Sequence, residues 1–198
     1  MLDPLIIVIT GPPASGKSSV ARRVTARFAL PWVSKDGIKE TLYDSLGYHN
    51  RRASGRLSTA TQDLLFHFAD VLLAARQPFV LESNFRPRRD AEAFRRLASR
   101  HPYRALQVHC DAPAPVLVRR FLNRWEAGRR HPGHADDLTA QDIAHDIRTG
   151  EFAPLDLPGQ TVHLDTGDFE GIDFPALYAA IGAALAEGTE EPLAPPAR

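Results

Sequence analysis

The chain has 198 residues, enough for one compact domain with a sizeable core. Lysine and arginine together number 24, as do aspartate and glutamate, so the chain lacks the basic excess typical of proteins that bind duplex nucleic acid. The single cysteine, Cys110, excludes an intramolecular disulfide and disfavours a cysteine-based zinc site. Residues 5–9 are apolar but too few for a signal peptide or a membrane span, so we expect a cytoplasmic protein.

Strands and helices alternate in the predicted chain. In order, the hydrophobic pattern predicts strands over residues 5–9, 31–34, 78–82, 104–110 and 161–165. It predicts helices over residues 16–28, 36–46, 59–75, 88–100, 113–125 and 174–186, with a short one from residue 139. Residues 47–55 are polar and turn-rich, which predicts a loop. The alternation predicts a parallel sheet with right-handed crossovers and helices on both faces.

We expect a single domain over residues 1–187, followed by a disordered tail over residues 188–198 that is rich in proline, glutamate and alanine. Thr59 with Gln62 resembles a capping box, and Asp111 is expected to cap the helix that follows it. Four further side chains are interpreted as packed or structural: Trp32, His67, Cys110 and Trp125.

The strongest motif is Gly-Pro-Pro-Ala-Ser-Gly-Lys-Ser at residues 11–18, which fits G-x-x-x-x-G-K-[ST] between a predicted strand and a predicted helix. Its glycines let the backbone wrap around a phosphate with the N–H groups pointing inward, at the positive end of the helix dipole. We expect Lys17 to reach the β- and γ-phosphates of ATP and the Ser18 hydroxyl to bind Mg²⁺. The predicted phosphate contacts of this segment are Gly11, Pro13, Ala14, Ser15, Gly16, Lys17, Ser18 and Ser19.

Other features favour a kinase over other nucleotide-binding proteins. A GTPase switch requires the guanine-reading sequence N-K-x-D, which does not occur. A motor ATPase usually has a long apolar strand that ends in Asp-Glu, whereas the third predicted strand ends in Glu82, Ser83 and Asn84. The chain is also short for a motor domain.

Three segments carry a resemblance to a known group: residues 32–39 (Trp-Val-Ser-Lys-Asp-Gly-Ile-Lys), residues 82–86 (Glu-Ser-Asn-Phe-Arg) and the Asp165-Thr166 pair. Over residues 5 to about 186, the chain resembles the small P-loop kinases of the AAA-type ATP-binding proteins. That group includes chloramphenicol phosphotransferase, the zeta-toxin sugar-nucleotide kinases, polynucleotide 5′-kinase and gluconate kinase. The resemblance implies a three-layer α/β/α fold, a five-stranded parallel sheet in the order 2-3-1-4-5, and a kinase-type lid.

The resemblance also implies that Asp36 acts on the substrate hydroxyl and that the loop after Asp165 lies near the adenine. A carboxylate at the carboxyl end of the second strand faces the γ-phosphate across the crevice, where it can orient a hydroxyl and accept its proton. An ordinary helix N-cap is the alternative role for Asp36. We expect Glu82 to act on Mg²⁺ through water, the alternative being a solvated residue at a strand end.

A basic segment lies where such kinases have their lid, over about residues 119–138. We expect Arg120 and Arg124, one helical turn apart, to be catalytic, and Arg129 and Arg130 to bind ATP phosphates. Arg119 belongs to the same cluster. His131 and His134 lack further ligands at metal spacing and are interpreted as lid or substrate contacts.

For the acceptor, Arg51 and Arg52 are predicted to bind an anionic group from a loop, and Tyr48 and His49 to stack on a planar one. Asn84 and Arg86 follow the third strand and are better placed in the crevice. We predict a small-molecule alcohol as acceptor, such as a sugar, nucleoside or antibiotic. Two alternatives stay open: a kinase of nucleic-acid 5′-hydroxyls, and a regulatory module that hydrolyses ATP without an acceptor. The sequence leaves the acceptor, the choice between ATP and GTP, and the oligomeric state undetermined.

Overall fold

The computed structural model describes residues 3–47, 51–128, 131–134 and 140–187, with the backbone alone for residues 51–54, 125, 140 and 143. Five strands alternate with helices within these ranges. The strands are β1 (Leu5–Thr10), β2 (Trp32–Ser34), β3 (Phe79–Glu82), β4 (Arg104–Asp111) and β5 (Gly159–Asp165). The helices are α1 (Lys17–Phe28), α2 (Lys35–Leu46), α3 (Arg51–Ala74), α4 (Pro87–Arg100), α5 (Ala114–Glu126), α6 (Ala140–Arg148) and α7 (Phe174–Ala186).

The strands form one parallel sheet in the order β2-β3-β1-β4-β5, which confirms the predicted order. β1 lies at the centre, and all six of its residues are buried. Its partners place Ile9 beside Glu82 of β3 and Val108 of β4. Because all five strands run in the same direction, their carboxyl ends meet at one edge of the sheet, where β1 is followed by the phosphate-binding motif.

Two apolar clusters cover the two faces of the sheet. Ile7 and Ile9 of β1 pack with α1 and α7, whereas Ile6 and Val8 pack with α3 and α4 on the opposite face. This split follows from the period of two in a strand, since successive side chains point to opposite faces. The result is the three-layer arrangement that the alternation of elements predicted.

The predicted loop at residues 47–55 is wrong in its second half, because α3 begins at Arg51. Thr59 therefore lies inside a helix instead of opening one. Short polar residues and Gly55 weaken a helix by at most about 1 kcal/mol each, and the 24-residue helix packs its apolar stripe onto the core. The residues at 51–55 do favour a turn by their type, but the free energy gained by burying the apolar residues farther along α3 outweighs that preference.

The structure differs from one predicted cap, Asp111, and from the alternative role of Asp36 as a cap. The Ser34 hydroxyl accepts a hydrogen bond from the Gly37 amide at 3.3 Å, so Ser34 caps α2 and Asp36 lies in its first turn. Asp111 ends β4 and accepts from the Ala112 amide at 2.8 Å, while α5 begins at Ala114. Asp36 is therefore not occupied by the capping role that its residue type favours.

The structural interpretations of single residues are mixed. Cys110 and half-buried Trp32 pack in the core, but His67 is exposed on α3 rather than packed. The side chain of Trp125 and the predicted tail at residues 188–198 lie outside the described residues. Among the described helices, none is both long and apolar enough to cross a membrane.

Candidate active site

The phosphate-binding motif forms a tight loop between β1 and α1. Gly11, Ala14 and Gly16 have φ angles of 135°, 62° and 79°, so the loop curls through the left-handed region that exposes successive amides. A Cβ atom at Gly11 would overlap the Cys110 carbonyl oxygen of β4, so that position requires glycine. The sequence motif and the sheet thus impose the same residue.

Lys17 lies folded against this loop. Its Nζ donates a hydrogen bond to the Pro12 carbonyl at 2.6 Å and contacts the Ser15 hydroxyl at 3.4 Å. Burial lowers the pKa of Lys17, while the nearby Glu82 carboxylate opposes that shift. An ammonium group held with little solvent is suited to bind an anion.

Ser18 and Glu82 meet across the sheet edge. The Ser18 hydroxyl donates to Glu82 Oε1 at 2.8 Å, and Glu82 is buried. Burial raises the pKa of Glu82, whereas Lys17 and the Ser18 hydroxyl lower it. Its second oxygen, Oε2, is buried without a hydrogen bond of good geometry to any described residue.

This pair fits a magnesium ion. A hydroxyl and a buried carboxylate oxygen that lacks a well-aligned hydrogen bond are hard oxygen donors of the kind that Mg²⁺ prefers. In the described parts of the chain, no group of three metal-ligating side chains occurs. That is compatible with Mg²⁺, which usually keeps several waters and binds substrate phosphates in addition to one or two protein oxygens.

A larger cavity of about 750 Å³ lies over the loop. It brings together residues predicted for phosphate binding, catalysis, Mg²⁺ binding and substrate binding: Pro13, Ala14, Gly16, Lys17, Ser18, Ser19, Asp36, Glu82, Asn84, Arg120 and Arg124. Gly11 and Ser15 are buried within the loop and do not line the cavity. The structure therefore brings most of the separate sequence predictions to one place.

Arg120 and Arg124 line the cavity from the same face of α5. One of them is fixed, because Arg120 Nη2 donates to the Gly167 carbonyl at 3.1 Å. Phe169, in the loop after β5, also lines the cavity, and its ring lies 3.0 Å from the point where Gly16 would carry a Cβ. Sequence reasoning missed Phe169, although an aromatic residue just after the fifth strand was a signal for stacking on a planar group.

A smaller cavity of about 190 Å³ adjoins the larger one. Four residues line both cavities: Pro13, Asp36, Glu82 and Asn84. The predicted base, Asp36, is exposed and stands at the boundary between the two spaces. Two bound molecules, one in each cavity, would meet beside this carboxylate.

Arg86 lines the smaller cavity, as predicted, but its guanidinium group has protein partners. Nη2 lies 2.7 Å from Asp146 on α6, and Nη1 lies 3.6 Å from Glu151. The group also lies 4.8 Å from the centroid of the Phe152 ring. These contacts tie the end of β3 to α6, and the Arg86 charge is largely compensated within the protein.

The comparisons with known proteins agree with this geometry. Residues 6–145 match a family model described as AAA domain. A structure of a candidate kinase from Chloroflexus aurantiacus j-10-fl is 35% identical, with a TM-score of 0.85, over 92% of this chain and 98% of that one. The chain belongs to the AAA domain family. It has the P-loop kinase fold, so the predicted family is confirmed.

Two solved structures of lower identity share the fold. A gluconokinase from Sinorhizobium meliloti 1021 is 18% identical, with a TM-score of 0.54, over 96% of this chain and 99% of that one. A sugar kinase from Janibacter sp. HTCC2649 is 15% identical, with a TM-score of 0.57, over 93% and 95%. At these identities the likeness shows the fold alone. No curated protein matches the chain significantly.

In this AAA-domain protein, the His-Pro-Gly-His segment at residues 131–134 packs against α2. Its two imidazoles contact the carboxylates of Asp44 and Glu40, each at 3.0 Å. Tyr43 stacks on His131, with ring centroids 5.5 Å apart and planes 15° apart. His134 also lines the smaller cavity. The segment therefore packs against α2, the helix that also contains Asp36.

Several predicted contacts lie outside the described residues. These are Tyr48, His49, Arg129 and Arg130, and the side chains of Arg51 and Arg52. The backbone of Arg51 and Arg52 is helical rather than part of the predicted loop. Sequence reasoning also passed over three cations that line the smaller cavity: Lys35, Lys39 and Arg89. The i, i+4 spacing of the two lysines around Asp36 was the available signal.

Proposed function

We propose that this protein is a Mg-ATP-dependent phosphotransferase that moves the γ-phosphate to a hydroxyl of a small molecule. The observation that carries the proposal is that Asp36 lines two adjoining cavities, one of which also contains Lys17 and Ser18. A hydroxyl held in the smaller cavity would face a phosphate held over the loop in the larger one. Phosphoryl transfer needs this positioning more than any covalent help from the protein.

The described side chains supply each part of the reaction. Lys17 and the loop amides would bind the β- and γ-phosphates. Asp36 would orient the acceptor hydroxyl and take its proton as the hydroxyl oxygen bonds to the γ-phosphorus. The bond from that phosphorus to the bridging oxygen breaks, and ADP leaves. Arg120 and Arg124 would offset the negative charge that develops.

The Ser18 hydroxyl would hold Mg²⁺ directly, and Glu82 would hold it through water. When bound, Mg²⁺ neutralises charge on the phosphate oxygens. The burial of Glu82, with no hydrogen bond of good geometry at Oε2, supports this role, because burial raises the pKa of this carboxyl more than Lys17 and Ser18 lower it, and a nearby cation would offset that cost.

We also propose that residues 1–187 form one kinase domain, in which residues 119–138 act as the lid. Arg120 and Arg124 line the larger cavity from this segment, and residues 131–134 pack on α2 beside the smaller one. A segment that contacts both sides of the cleft can exclude water and limit hydrolysis of ATP.

The size of the smaller cavity favours a small acceptor. Its volume of about 190 Å³ is below the roughly 300–1,000 Å³ of pockets that bind drug-sized ligands. A kinase of nucleic-acid 5′-hydroxyls and an ATPase without an acceptor are the two competing outcomes of the test below.

The test is ADP release from Mg-ATP in the presence of pooled sugars, nucleosides, antibiotics and 5′-hydroxyl oligonucleotides. Stimulation by one small-molecule pool, reduced roughly 10²–10⁴-fold in kcat by Asp36→Asn with ATP affinity retained, would support the proposal. Asp63→Asn removes an exposed carboxylate from α3 and serves as the matched control. Stimulation by oligonucleotides alone, or acceptor-independent hydrolysis that survives Asp36→Asn, would refute it.

A further inference from the structure

The smaller cavity has an unusual balance of charge. Four cationic side chains line it, from α2, the end of β3 and α4: Lys35, Lys39, Arg86 and Arg89. The anionic side chains in its lining are Asp36 and Glu82. Glu82 binds the Ser18 hydroxyl, so one of its oxygens is directed to the larger cavity.

The two arginines are compensated by protein carboxylates. Arg86 has Asp146 and Glu151, as described above. Arg89 contacts Asp90 through two nitrogens, each at 2.8 Å from a carboxylate oxygen. Both guanidinium groups therefore have part of their charge satisfied before any ligand arrives.

The two lysines are not compensated in this way. Lys35 is half-buried, and no hydrogen bond or salt bridge joins its ammonium group to any residue that the structure describes. Burial lowers the pKa of Lys35 to about 8, and the positive charge of Arg89 adds to that effect, while the carboxylates of Asp90 and Asp36 oppose it only in part. The Lys39 ammonium lies 5.4 Å from the centroid of the Tyr43 ring, one helical turn from Lys35 and on the same face of α2.

An ammonium group that loses water without gaining a partner is unfavourable for the free protein. It becomes favourable when an anion enters the cavity, since the attraction is stronger where little water competes. A small acceptor also has few atoms with which to gain affinity, so one ionic group contributes a large share of its binding. These conditions point to a specific feature of the acceptor.

We propose that the acceptor alcohol carries an anionic group, a carboxylate or a phosphate, which Lys35 and Lys39 bind while its hydroxyl lies beside Asp36. This inference rests on the proposed function, because it identifies the substrate class of the same site. It makes the two lysines specificity determinants rather than parts of the phosphate-transfer machinery.

Matched acceptors test the transfer. ADP release is measured with three pairs of alcohols that differ in one anionic group: gluconate and glucitol, glycerate and glycerol, glucose 6-phosphate and glucose. We expect kcat/KM for an anionic member to exceed that of its neutral partner by roughly tenfold or more. The first two pairs report on a carboxylate and the third on a phosphate. Equal use of the neutral partners would overturn the inference and leave the kinase proposal intact.

Lysine variants test the assignment of the residues. In Lys35→Met and Lys39→Met, the KM of the anionic acceptor should rise roughly tenfold, with kcat and the KM of ATP unchanged. Arg95→Met removes an exposed positive charge from α4, outside the cavity, and should change neither constant. A loss of kcat with every acceptor, or a higher KM for ATP, would assign the lysines to transfer and refute the proposal.

Binding without transfer separates the two proposals. The ADP-saturated protein is titrated calorimetrically with gluconate and with inorganic phosphate, in the wild type and in the Lys35→Met, Lys39→Met double variant. If either anion binds the wild type and binds the variant at least about tenfold more weakly, the anionic site is supported. This holds even if no member of the three acceptor pairs is phosphorylated. In that case the kinase proposal fails and the anionic site stands. Absence of binding in the wild type, or equal binding in the variant, overturns the anionic site.

Discussion

The two cavities of the cleft are built differently. The larger one takes six of its fourteen lining residues from one short stretch, residues 13–19, and the others from α1, α2, the end of β3 and the turn after it, α5 and Phe169. The smaller one takes only Pro13 from that stretch, and its other lining residues come from α2, α3, the end of β3 and the turn after it, α4, α5, His134 and Phe152. The larger cavity is built around one local segment of the sequence, whereas the smaller one is assembled almost entirely by folding.

This difference reflects what each cavity is suited to recognise. Backbone amides at the start of α1 can bind a phosphate whatever the neighbouring side chains are, so a short pattern with glycines at fixed positions is sufficient. An acceptor must be recognised by side chains, and those of the smaller cavity come from positions as far apart in the chain as Pro13 and Phe152. The predictions below act on one cavity at a time and are ordered by expected effect.

The largest effect is expected at the larger cavity, from Lys17→Ala. Loss of the ammonium group that we propose binds the phosphates should lower kcat by about 10²–10³-fold with every acceptor. Steady-state ADP release at saturating acceptor measures this. Thermal unfolding of the ligand-free variant is the control for folding. Activity within threefold of the wild type would show that Lys17 does not contact the transferred phosphate.

The next effect is expected where the cavities meet. Glu82→Gln removes the negative charge of the buried group that we assign to Mg²⁺, so the Mg²⁺ concentration for half-maximal activity should rise about 10–100-fold. The measurement is a Mg²⁺ titration of ADP release. Glu92→Gln on α4 changes an exposed carboxylate that pairs with Arg95 and Arg96, and it should leave the titration unchanged. Identical curves for Glu82→Gln and the wild type would contradict the assignment.

A pH change should alter acceptor binding in the smaller cavity. Burial lowers the pKa of Lys35 to about 8, so its ammonium form predominates below that pH and is lost above it. The groups that influence it are Asp36 and Lys39 on α2 and Arg89 and Asp90 on α4.

From pH 7 to 9, kcat/KM for an anionic acceptor should therefore fall by up to about tenfold, while the KM of ATP changes little. Lys35→Arg keeps its charge in this range and should flatten the profile. A profile that stays the same in Lys35→Arg would assign the titration to another group.

The smallest effect is expected from the segment that packs on α2. A Cβ at Gly133 would lie 2.5 Å from a Tyr43 ring carbon, so Gly133→Ala must displace residues 131–134 from the helix. We expect a roughly threefold rise in the acceptor KM and in the share of ATP lost to hydrolysis, since overpacking is relieved by a local shift.

The matched control is Gly55→Ala on α3, where a Cβ would meet no atom within 4 Å. It should stabilise the protein by about 0.5–1 kcal/mol without changing kinetics, because alanine favours a helix. Equal kinetics for Gly133→Ala and the wild type would show that this segment has no part in acceptor binding.

Some elements of the fold could be predicted from the sequence, and others could not. The strands and their order were predictable because buried β-branched runs leave few alternatives and crossovers are right-handed. The start of α3 was not predictable, because the residues before Thr59 are turn formers, and the first buried residue that the structure describes in the helix is Thr61, ten residues after its start at Arg51. Likewise, Asp36 was predicted from its place after β2, whereas the cap of α2 is Ser34, two residues earlier.

At the site, the sequence predicted which residues lie around the cleft where a local pattern marks them: the loop from Gly11 to Ser18, and the two carboxylates at strand ends, Asp36 and Glu82. The pairing of Arg86 with Asp146, 60 residues away, could not be predicted, and it changes which cations are available to a ligand.

The sequence by itself determined the sheet, the phosphate-binding loop and the family, because each is encoded by short-range periodicity or by backbone conformation. Only the tertiary structure decided how charges are distributed between the two cavities. Electrostatic compensation depends on distances of a few ångströms between side chains that are remote in the chain. Lys35 and Arg86 carry the same formal charge in the sequence, but their partners distinguish them.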